Sequence, residues 1–200
     1  GLGDYENGMI ASGAVLQYLY ETQKNDLSHL TKITPYTTGQ FMMIDTSTRR
    51  NLELVETLRE KQKRGSLLWV LDKTKTAMGA RLLRSFIEQP LIDKEEIERR
   101  QQAIEELNMN YISREEIREY LNSVYDLERL MGRISYKTAN PRDLLSFKNS
   151  LEMLPYIKDI LGEFSCELLK KMNEDLDPLR DLYELIDRSI VDEPPITVRE

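Results

Sequence analysis

The stretch NPRDLLSFKNSLEMLPYIKDIL (residues 140–161) decides the fold that the sequence predicts. Asn140 can accept hydrogen bonds from the free amides of a helix start, and Pro141 has the fixed φ angle that suits the first helical position. Apolar residues then recur at helical spacing and predict one buried face, formed by Leu144, Phe147, Leu151, Leu154, Ile157 and Leu161. Residues 141–161 would span roughly 30 Å as a helix, in which Pro155 could introduce a kink.

The N-terminal part of the chain combines two predicted helices with the best strand candidate. The first helix, over 8–23, should turn Ile10, Val15, Leu16, Leu19 and Tyr20 toward one side. FMMID (41–45) is short, apolar and bounded by turn residues, which is typical of a strand. A second helix is predicted from Thr48 until Gly65-Ser66 stops it. In its segment RNLELVETLREKQ (50–62), apolar residues recur at three-residue steps at Leu52, Val55 and Leu58.

Two hydroxyl residues predict further helix starts. Ser66 follows Gly65 and should begin the helix SLLWVLD, with Trp69 as its anchor in the core. Thr76 should cap the next helix, which Pro90 ends. The buried side of that helix is predicted to carry residues four apart, namely Met78, Leu82 and Phe86.

The remaining helices are predicted from capping boxes and amphipathic runs. Asp93 with Glu96, and Ser113 with Glu116, have the spacing of capping boxes. One run continues from the second box through Ile117, Leu121, Val124, Leu127 and Met131, and a last run covers 167–190. Short polar connections favour antiparallel neighbours, so the predicted fold class is mainly α: an antiparallel helical bundle with a small mixed N-terminal portion.

Composition bounds the kind of protein. The chain has 200 residues, a net charge of −7 and 40% hydrophobic residues, which fits one domain, or one domain plus part of another. The acidic balance argues against DNA binding as the task of this chain alone, although a larger protein containing it could bind DNA. No apolar run reaches the length of a membrane span, and the acidic opening GLGDYENG is unlike a signal peptide. We therefore expect a soluble, intracellular chain cut from a longer protein.

The search for an active site assigns no catalytic, cofactor-binding or metal-ligating residue. No Gly-Lys-Ser/Thr phosphate loop occurs, and Gly1-x-Gly3 has Glu6 where a dinucleotide loop requires glycine. Cys166, the single cysteine, lies among apolar residues and is predicted to be a buried structural thiol. His29, the single histidine, lies in a polar connection and fits a surface or packing role better than that of a general base.

Charged clusters are interpreted as solvated helix surface. The acidic pairs Glu95-Glu96, Glu105-Glu106 and Glu115-Glu116 lie next to Arg or Lys on helical segments, as expected for pairs within one helix. The basic clusters are interleaved with acids and lack aromatic platforms, which disfavours a nucleic-acid site: Arg49-Arg50, Lys61/Lys63/Arg64, Arg99-Arg100 and Lys170-Lys171.

Several motifs in fixed order resemble the core, or lever, domain of the MutS family of DNA mismatch-recognition proteins. In the first half they are Asp45 with TRRNLEL (48–54), SLL (66–68), LDKTKTAMGARLLR (71–84) and Pro90-Leu91. In the second half they are RQQAI (100–104), DLERL (126–130), ANPRDL (139–144) and DEPP (192–195). The resemblance covers nearly the whole chain.

The resemblance implies a mechanical role. Residues 1–26 would be the C-terminal end of the connector domain, and residues 27–200 the first segment of the core/lever domain, up to the start of the clamp. An elongated lever would couple the DNA clamp to the ATPase domain of a mismatch-repair protein, and this part would not itself be an enzyme. The mismatch-reading Phe-x-Glu, the clamp and the ATPase would lie outside it.

The partners implied by the resemblance belong to the intact protein. They are ATP and Mg²⁺ as cofactors, mismatched duplex DNA held by the other domains, a second copy in a homodimer, and downstream mismatch-repair proteins. No membrane is implied, and the location would be the cytoplasm.

The junction Arg49-Arg50-Asn51-Leu52 is the residue-level hypothesis. It follows the strand candidate at the expected meeting of connector and core, where Arg and Asn could fix backbone geometry by hydrogen bonds. Three alternatives remain open: a stand-alone helical interaction module, a small helical hydrolase or transferase, and a paralogue of the superfamily that does not act in mismatch repair.

Overall fold

The structure is a computed structural model that describes residues 5–23, 27, 30, 33 and 38–195. Contacts divide the chain into two units, Gly1–Gln40 and Phe41–Glu200. His29 lies outside the described residues, so its predicted role stays a prediction.

The described residues are mainly helical, as the sequence predicts. The first unit contains α1 (Glu6–Gln23) and a 3₁₀ turn (Thr38–Gln40). The second unit contains, in chain order, α2 (Thr46–Asn51), α3 (Leu67–Leu71), α4 (Ala77–Glu88), α5 (Lys94–Met109), α6 (Tyr111–Asn122), α7 (Leu127–Ser135), α8 (Pro141–Leu161), α9 (Glu167–Asp175) and α10 (Arg180–Ser189). None of these described helices has the length and apolar character needed to span a lipid bilayer.

Helix α8 begins and runs as its sequence predicts. The Asn140 side chain accepts from the Asp143 amide at 2.9 Å, and the Asp143 carboxylate accepts from the Asn140 amide at 2.9 Å, which completes a capping box. The helix continues through Pro155 to Leu161. Most of the predicted apolar face is buried, and Leu151 is only 2% exposed.

The buried face of α8 takes part in two hydrophobic clusters. Its N-terminal half packs Phe147, Leu151 and Leu154 against Leu130 of α7 and Ile186 of α10. At its C-terminal end, Ile160 packs with Ala103 of α5, with Phe164 of the connection that follows α8, and with Leu169 of α9. One helix therefore packs against α5, α6, α7, α9 and α10.

A third cluster stabilises the segment before α5. Leu54, Leu68 and Ile87 are buried together, with Ile44, Val55 and Leu83 packed against them. All of these residues lie between positions 44 and 87, whereas the residues of the other two clusters lie between 103 and 190. We call residues 41–91 the N-terminal layer and residues 94–195 the helical bundle.

The strand predicted over FMMID (41–45) is wrong. Within it, only Phe41 forms a β-bridge, antiparallel to Leu91, and the Met42 amide donates to the Pro90 carbonyl at 2.8 Å. Ile44 packs into the third cluster instead of alternating along a sheet. An apolar run of five residues cannot form a strand without a partner strand, and here the neighbouring backbone supplies one contact only.

The helix predicted from Thr48 to the stop at Gly65-Ser66 is also wrong beyond its first turn. Helix α2 starts earlier, at Thr46, with Asp45 as its cap, and ends at Asn51. Glu53 then takes a left-handed conformation with φ of 50°. This turn lets the carbonyls of Glu53 and Leu54 accept from the amides of Leu67 and Leu68 at 3.1 and 2.9 Å. The carbonyls of Glu53 and Leu54 therefore accept from the free amides at the start of α3 instead of continuing the hydrogen bonds of α2.

Caps at Ser66 and Thr76 are confirmed, but the burial predicted after them is not. Ser66 accepts from the Trp69 amide at 3.2 Å and Thr76 from the Gly79 amide at 3.0 Å. Trp69, predicted as a core anchor, is 47% exposed, and Leu68 is the buried residue of α3.

The predicted buried side of α4 is shifted by one residue. Leu82 is 55% exposed and Phe86 38% exposed, whereas Ile87 is buried and Leu83 packs beside it. The spacing alone fits either side of the helix, and the position of Leu54 and Leu68 decides between them.

Two predicted helical runs are each broken in the structure. The run from Ser113 to Met131 separates into α6 and α7, and Ser113 lies inside α6 rather than capping it. The run over 167–190 separates into α9 and α10, where Leu179 takes a left-handed conformation with φ of 51°. Both breaks keep the apolar spacing, so hydrophobic periodicity alone did not reveal them.

Helix α1 is confirmed, but its predicted apolar side is not buried within its unit. Ile10, Val15 and Tyr20 are each more than half exposed. The pattern therefore identified the helix without identifying a core contact.

We expect Leu151→Ala to lower the free energy of unfolding by about 2–5 kcal/mol, because truncation leaves a cavity in the face of α8 that packs against α7 and α10. Urea unfolding followed by circular dichroism measures the change. Leu82→Ala is the matched control, since the same atoms are removed from a side chain that is 55% exposed. An equal loss of unfolding free energy in both variants would contradict the assigned core and would support the prediction that Leu82 lies on the buried side of α4.

Candidate functional site

The strongest polar contact between the N-terminal layer and the helical bundle is made by Arg81 of α4. Its guanidinium donates two parallel hydrogen bonds to Asp126, with Nη1–Oδ2 at 2.7 Å and Nη2–Oδ1 at 2.8 Å. A third bond runs from Nε to Glu128 Oε2 at 3.1 Å. We call Arg81, Asp126 and Glu128 the ionic joint. Such a planar fork on two carboxylates fixes orientation as well as distance.

Asp126 has two roles, because it accepts hydrogen bonds from Arg81 and also caps α7. It is the N-cap of α7, where its carboxylate accepts from the Arg129 amide at 3.3 Å. The hydrogen bonds from Arg81, with a smaller contribution from the Arg129 amide, lower the pKa of Asp126 to about 2. Asp126 raises the pKa of Arg81 in turn, and Glu128 adds to that effect. Both partners therefore stay charged over the whole physiological pH range.

Weaker contacts accompany the ionic joint. Arg118 of α6 donates to the Lys73 carbonyl at 3.3 Å, and the Arg100 guanidinium of α5 lies 3.9 Å from the centre of the Phe86 ring. In the part of the chain that the structure describes, no hydrophobic cluster contains residues of both the layer and the bundle. The connection is therefore mainly polar, which allows its geometry to change with less loss than repacking a core would cause.

Helix α9 is held at both ends by side chains of other helices. Glu106 of α5 accepts at its N-terminus from the Ser165 amide at 2.6 Å, the Ser165 hydroxyl at 2.7 Å and the Cys166 amide at 2.8 Å. Lys158 of α8 donates at its C-terminus to the carbonyls of Asn173 and Leu176, each at 2.6 Å. An anion at the start of a helix and a cation at its end both oppose the helix dipole.

These contacts correct one prediction about the acidic pairs. Glu106 was expected on a solvated face, but it caps a helix that follows it by some sixty residues in sequence. The Ser165 hydroxyl, with the Ser165 and Cys166 amides, lowers the pKa of Glu106 to about 2. Glu96 and Glu115 do form the expected pairs within their helices, with Arg99 and Arg118.

Helix α10 is fixed to α8 by a buried lysine. Lys148 donates to Asp187 at 3.0 Å, and Asp192 lies 3.9 Å from the same ammonium group. The hydrogen bond to Asp187 raises the pKa of Lys148, although burial acts in the opposite direction. Sequence reasoning missed this residue, because a lysine on a predicted core face carries no signal without knowledge of its partner.

The residues singled out from the sequence do not converge on one site. Arg49 lies 3.9 Å from Glu88 of α4, and none of the described residues accepts a hydrogen bond from its buried Nε, while Arg50 is exposed. Cys166 is half-buried at the start of α9, where burial raises the pKa of its thiol. Within the described ranges, no group of three or more metal-ligating side chains comes together. Lys61, Lys63 and Arg64 lie in an exposed turn and not on the predicted helix.

The ionic joint lies within motifs already noted in the sequence. Arg81 belongs to LDKTKTAMGARLLR (71–84), and Asp126 and Glu128 belong to DLERL (126–130). A charged residue of each sign in two ordered motifs is the signal that could have found the pair. The sequence offers several such combinations, so the pairing itself needed the structure.

Comparison with known proteins gives one consistent result. Residues 47–200 match the family model described as MutS domain III. The DNA mismatch repair protein MutS of Lachnoclostridium phytofermentans is 68% identical over 200 residues, which cover 100% of this chain and 22% of the relative. MutS of Ruminiclostridium cellulolyticum is 52% identical over 197 residues, covering 98% of this chain and 23% of the relative. The chain thus spans about a fifth of the length of the curated relatives it matches.

We expect the stability of the fold to fall between about pH 4.5 and pH 2, in part through Glu106. Its pKa is about 2 in the folded chain against 4.5 ordinarily, so its contribution is present above pH 4.5 and is lost as the pH falls toward 2. Glu106→Gln should therefore lower the urea midpoint at pH 7. Near pH 2, the urea midpoints of the variant and of the unchanged chain should lie closer together.

The matched control for this prediction is Glu105→Gln, which neutralises the exposed neighbouring residue on the same helix. The control should change the midpoint little at either pH. A Glu106→Gln variant with an unchanged midpoint at pH 7 would show that the cap of α9 contributes nothing.

Proposed function

This chain belongs to the MutS family of DNA mismatch repair proteins, and we propose that it acts in mismatch repair as the lever of a larger protein. The lever couples the part that holds DNA to the part that hydrolyses ATP. It is not itself catalytic. The observation that supports this role is the ionic joint between the N-terminal layer and the helical bundle, two bodies with separate hydrophobic clusters.

A coupling element needs bodies that resist deformation and a contact between them that fixes their orientation. Each body has its own hydrophobic cluster, and close-packed cores resist deformation. The contact between the bodies is a charged fork that has strict orientation but little apolar area. A change at one body can therefore alter the equilibrium at the other through this contact, which is the requirement for coupling between distant sites.

We assign residues 1–26 to the end of a connector domain and residues 27–200 to the core/lever domain up to the start of the clamp. ATP with Mg²⁺, mismatched duplex DNA, a second copy of the protein and downstream repair proteins are partners of the intact protein. We place that protein in the cytoplasm. In this assignment, the chain contributes rigidity and the joint, and the other domains contribute the chemistry.

We expect Arg81→Ala in the intact protein to leave affinity for mismatched DNA nearly unchanged while weakening the response of that affinity to ATP. The variant removes the hydrogen bonds from Arg81 to Asp126 and Glu128, which join the two bodies. Fluorescence anisotropy of labelled mismatched DNA, with and without ATP, measures both quantities. Arg84→Ala is the control, since Arg84 pairs only with Glu88 of its own helix among the described contacts.

A normal ATP response in Arg81→Ala would overturn the coupling role of the joint. Loss of mismatch affinity without ATP would instead assign Arg81 to DNA binding or folding. A functional paralogue outside mismatch repair would bind mismatched and matched duplexes equally in the unchanged protein, which separates that alternative from the proposal.

The junction at Arg49-Arg50 gives a second, independent prediction in the intact protein. Arg49 contacts Glu88 and its Nε is buried, whereas Arg50 is exposed, so Arg49→Ala should change the ATP response of mismatch binding more than Arg50→Ala. The same anisotropy assay compares the two. If both variants match the unchanged protein in affinity and ATP response, the junction is not a structural joint.

A further inference from the structure

An exposed turn of the N-terminal layer and the segment next to it carry six of the ten Lys and Arg residues of that layer. The turn contains Arg59, Lys61, Lys63 and Arg64, and the adjoining segment adds Lys73 and Lys75. We call these six residues the basic turn. Residues 58–75 have a net charge of +4, which leaves −11 for the other residues of a chain whose total is −7. The basic turn is therefore a local exception on an acidic protein.

The turn is held in one conformation by backbone hydrogen bonds. The Thr57 amide donates to the Gln62 carbonyl at 2.9 Å, and the Lys61 amide donates to the Thr57 carbonyl at 3.1 Å. Lys61 and Gly65 both have positive φ angles, 48° and 94°. At Gly65 an added Cβ would lie 3.2 Å from the Thr57 methyl group, so the close approach itself favours glycine.

The two parts of the basic turn are tied together. Lys63 forms an ion pair with Asp72, and the same carboxylate accepts from the Thr74 hydroxyl at 2.6 Å. These bonds place the segment of Lys73 and Lys75 beside the turn. The ion pair with Asp72 neutralises the charge of Lys63 within the fold, which distinguishes Lys63 from the other five residues of the basic turn.

The other five cations of the basic turn are not neutralised by carboxylates of the described residues. Among the described residues, no carboxylate forms an ion pair with Arg59, Lys61, Arg64, Lys73 or Lys75. Cations elsewhere in the chain commonly join helices, as Arg81, Arg133 and Lys148 do. A preformed group of unpaired cations is expected to bind an anion from outside this fold.

We propose that the basic turn binds the phosphate backbone of duplex DNA, without reading its sequence. The proposal rests on the proposed function, which brings the intact protein to DNA. Long cationic side chains on a fixed turn suit backbone phosphates, whereas base readout needs an element that enters a groove. The five cations are exposed or half-buried and follow one another along a short path.

The number of cations sets the strength of this contact. About five phosphate contacts give a slope near −4.5 for the logarithm of affinity against the logarithm of salt concentration. Raising salt from about 50 to about 200 mM then weakens binding roughly 500-fold. The isolated chain should therefore bind duplex DNA measurably at low salt and hardly at all at physiological salt.

The test is binding of the 200-residue chain to a labelled duplex of about 20 base pairs, by anisotropy, over a range of salt concentrations. The test variant is Arg59→Gln, Arg64→Gln and Lys73→Gln, which leaves the Lys63–Asp72 pair and the strained Lys61 intact. The control is Lys170→Gln, Lys171→Gln and Arg180→Gln, three exposed cations on α9 and α10. Circular dichroism checks that each variant is folded, and Trp69, the single Trp and 47% exposed, reports on binding beside the turn.

We expect the test variant to lose at least about tenfold in affinity at low salt and to reduce the salt slope by about 3, while the control changes little. Equal losses in both variants, or no salt-dependent binding by the unchanged chain, would overturn the proposal. A glutamate-rich peptide that binds as tightly as DNA would overturn it in favour of an acidic protein partner. None of these results depends on ATP, so failure here leaves the coupling role of the ionic joint to its own test.

Discussion

Burial of one face of α8 is the constraint on which the helical bundle depends. The helix is long enough for its two ends to serve different clusters, one shared with α7 and α10 and one with α5 and α9. Its start is fixed by the reciprocal bonds of Asn140 and Asp143, and Asp143 also pairs with Arg133 of α7. Because the same helix packs against five neighbours, a shift of α8 would move all of them together.

Polar side chains from other helices fix the positions of α9 and α10 in addition to the hydrophobic packing on α8. Glu106 and Lys158 satisfy the two ends of α9, and Lys148 holds α10 through Asp187. Each of these contacts joins residues far apart in sequence and supplies the direction that hydrophobic packing lacks. The ionic joint at Arg81 follows the same pattern between the N-terminal layer and the bundle, where it is the principal link. The bundle is packed by apolar clusters, and a charged contact joins it to the N-terminal layer, an arrangement that suits the proposed coupling role.

Sequence reasoning succeeded where a local rule had no competitor. Asn140-Pro141, Ser66 and Thr76 were identified as helix starts because a side-chain acceptor next to free amides works in any surrounding. It failed at Glu53 and Leu179, where left-handed residues break runs whose apolar spacing continues. It also chose Leu82 over Leu83, since two adjacent stripes on one helix differ only in what packs against them.

The sequence by itself determined the mainly helical fold class, the central helix and the family, because caps, periodicity and ordered motifs are local properties of the chain. Only the tertiary structure decided the pairing of Arg81 with Asp126, the capping of α9 by Glu106 and the turn that gathers the basic residues. These contacts join side chains separated by tens of residues or depend on single left-handed positions. Many charged residues could form such pairs, and the choice among them follows from how the helices pack, which no local pattern encodes.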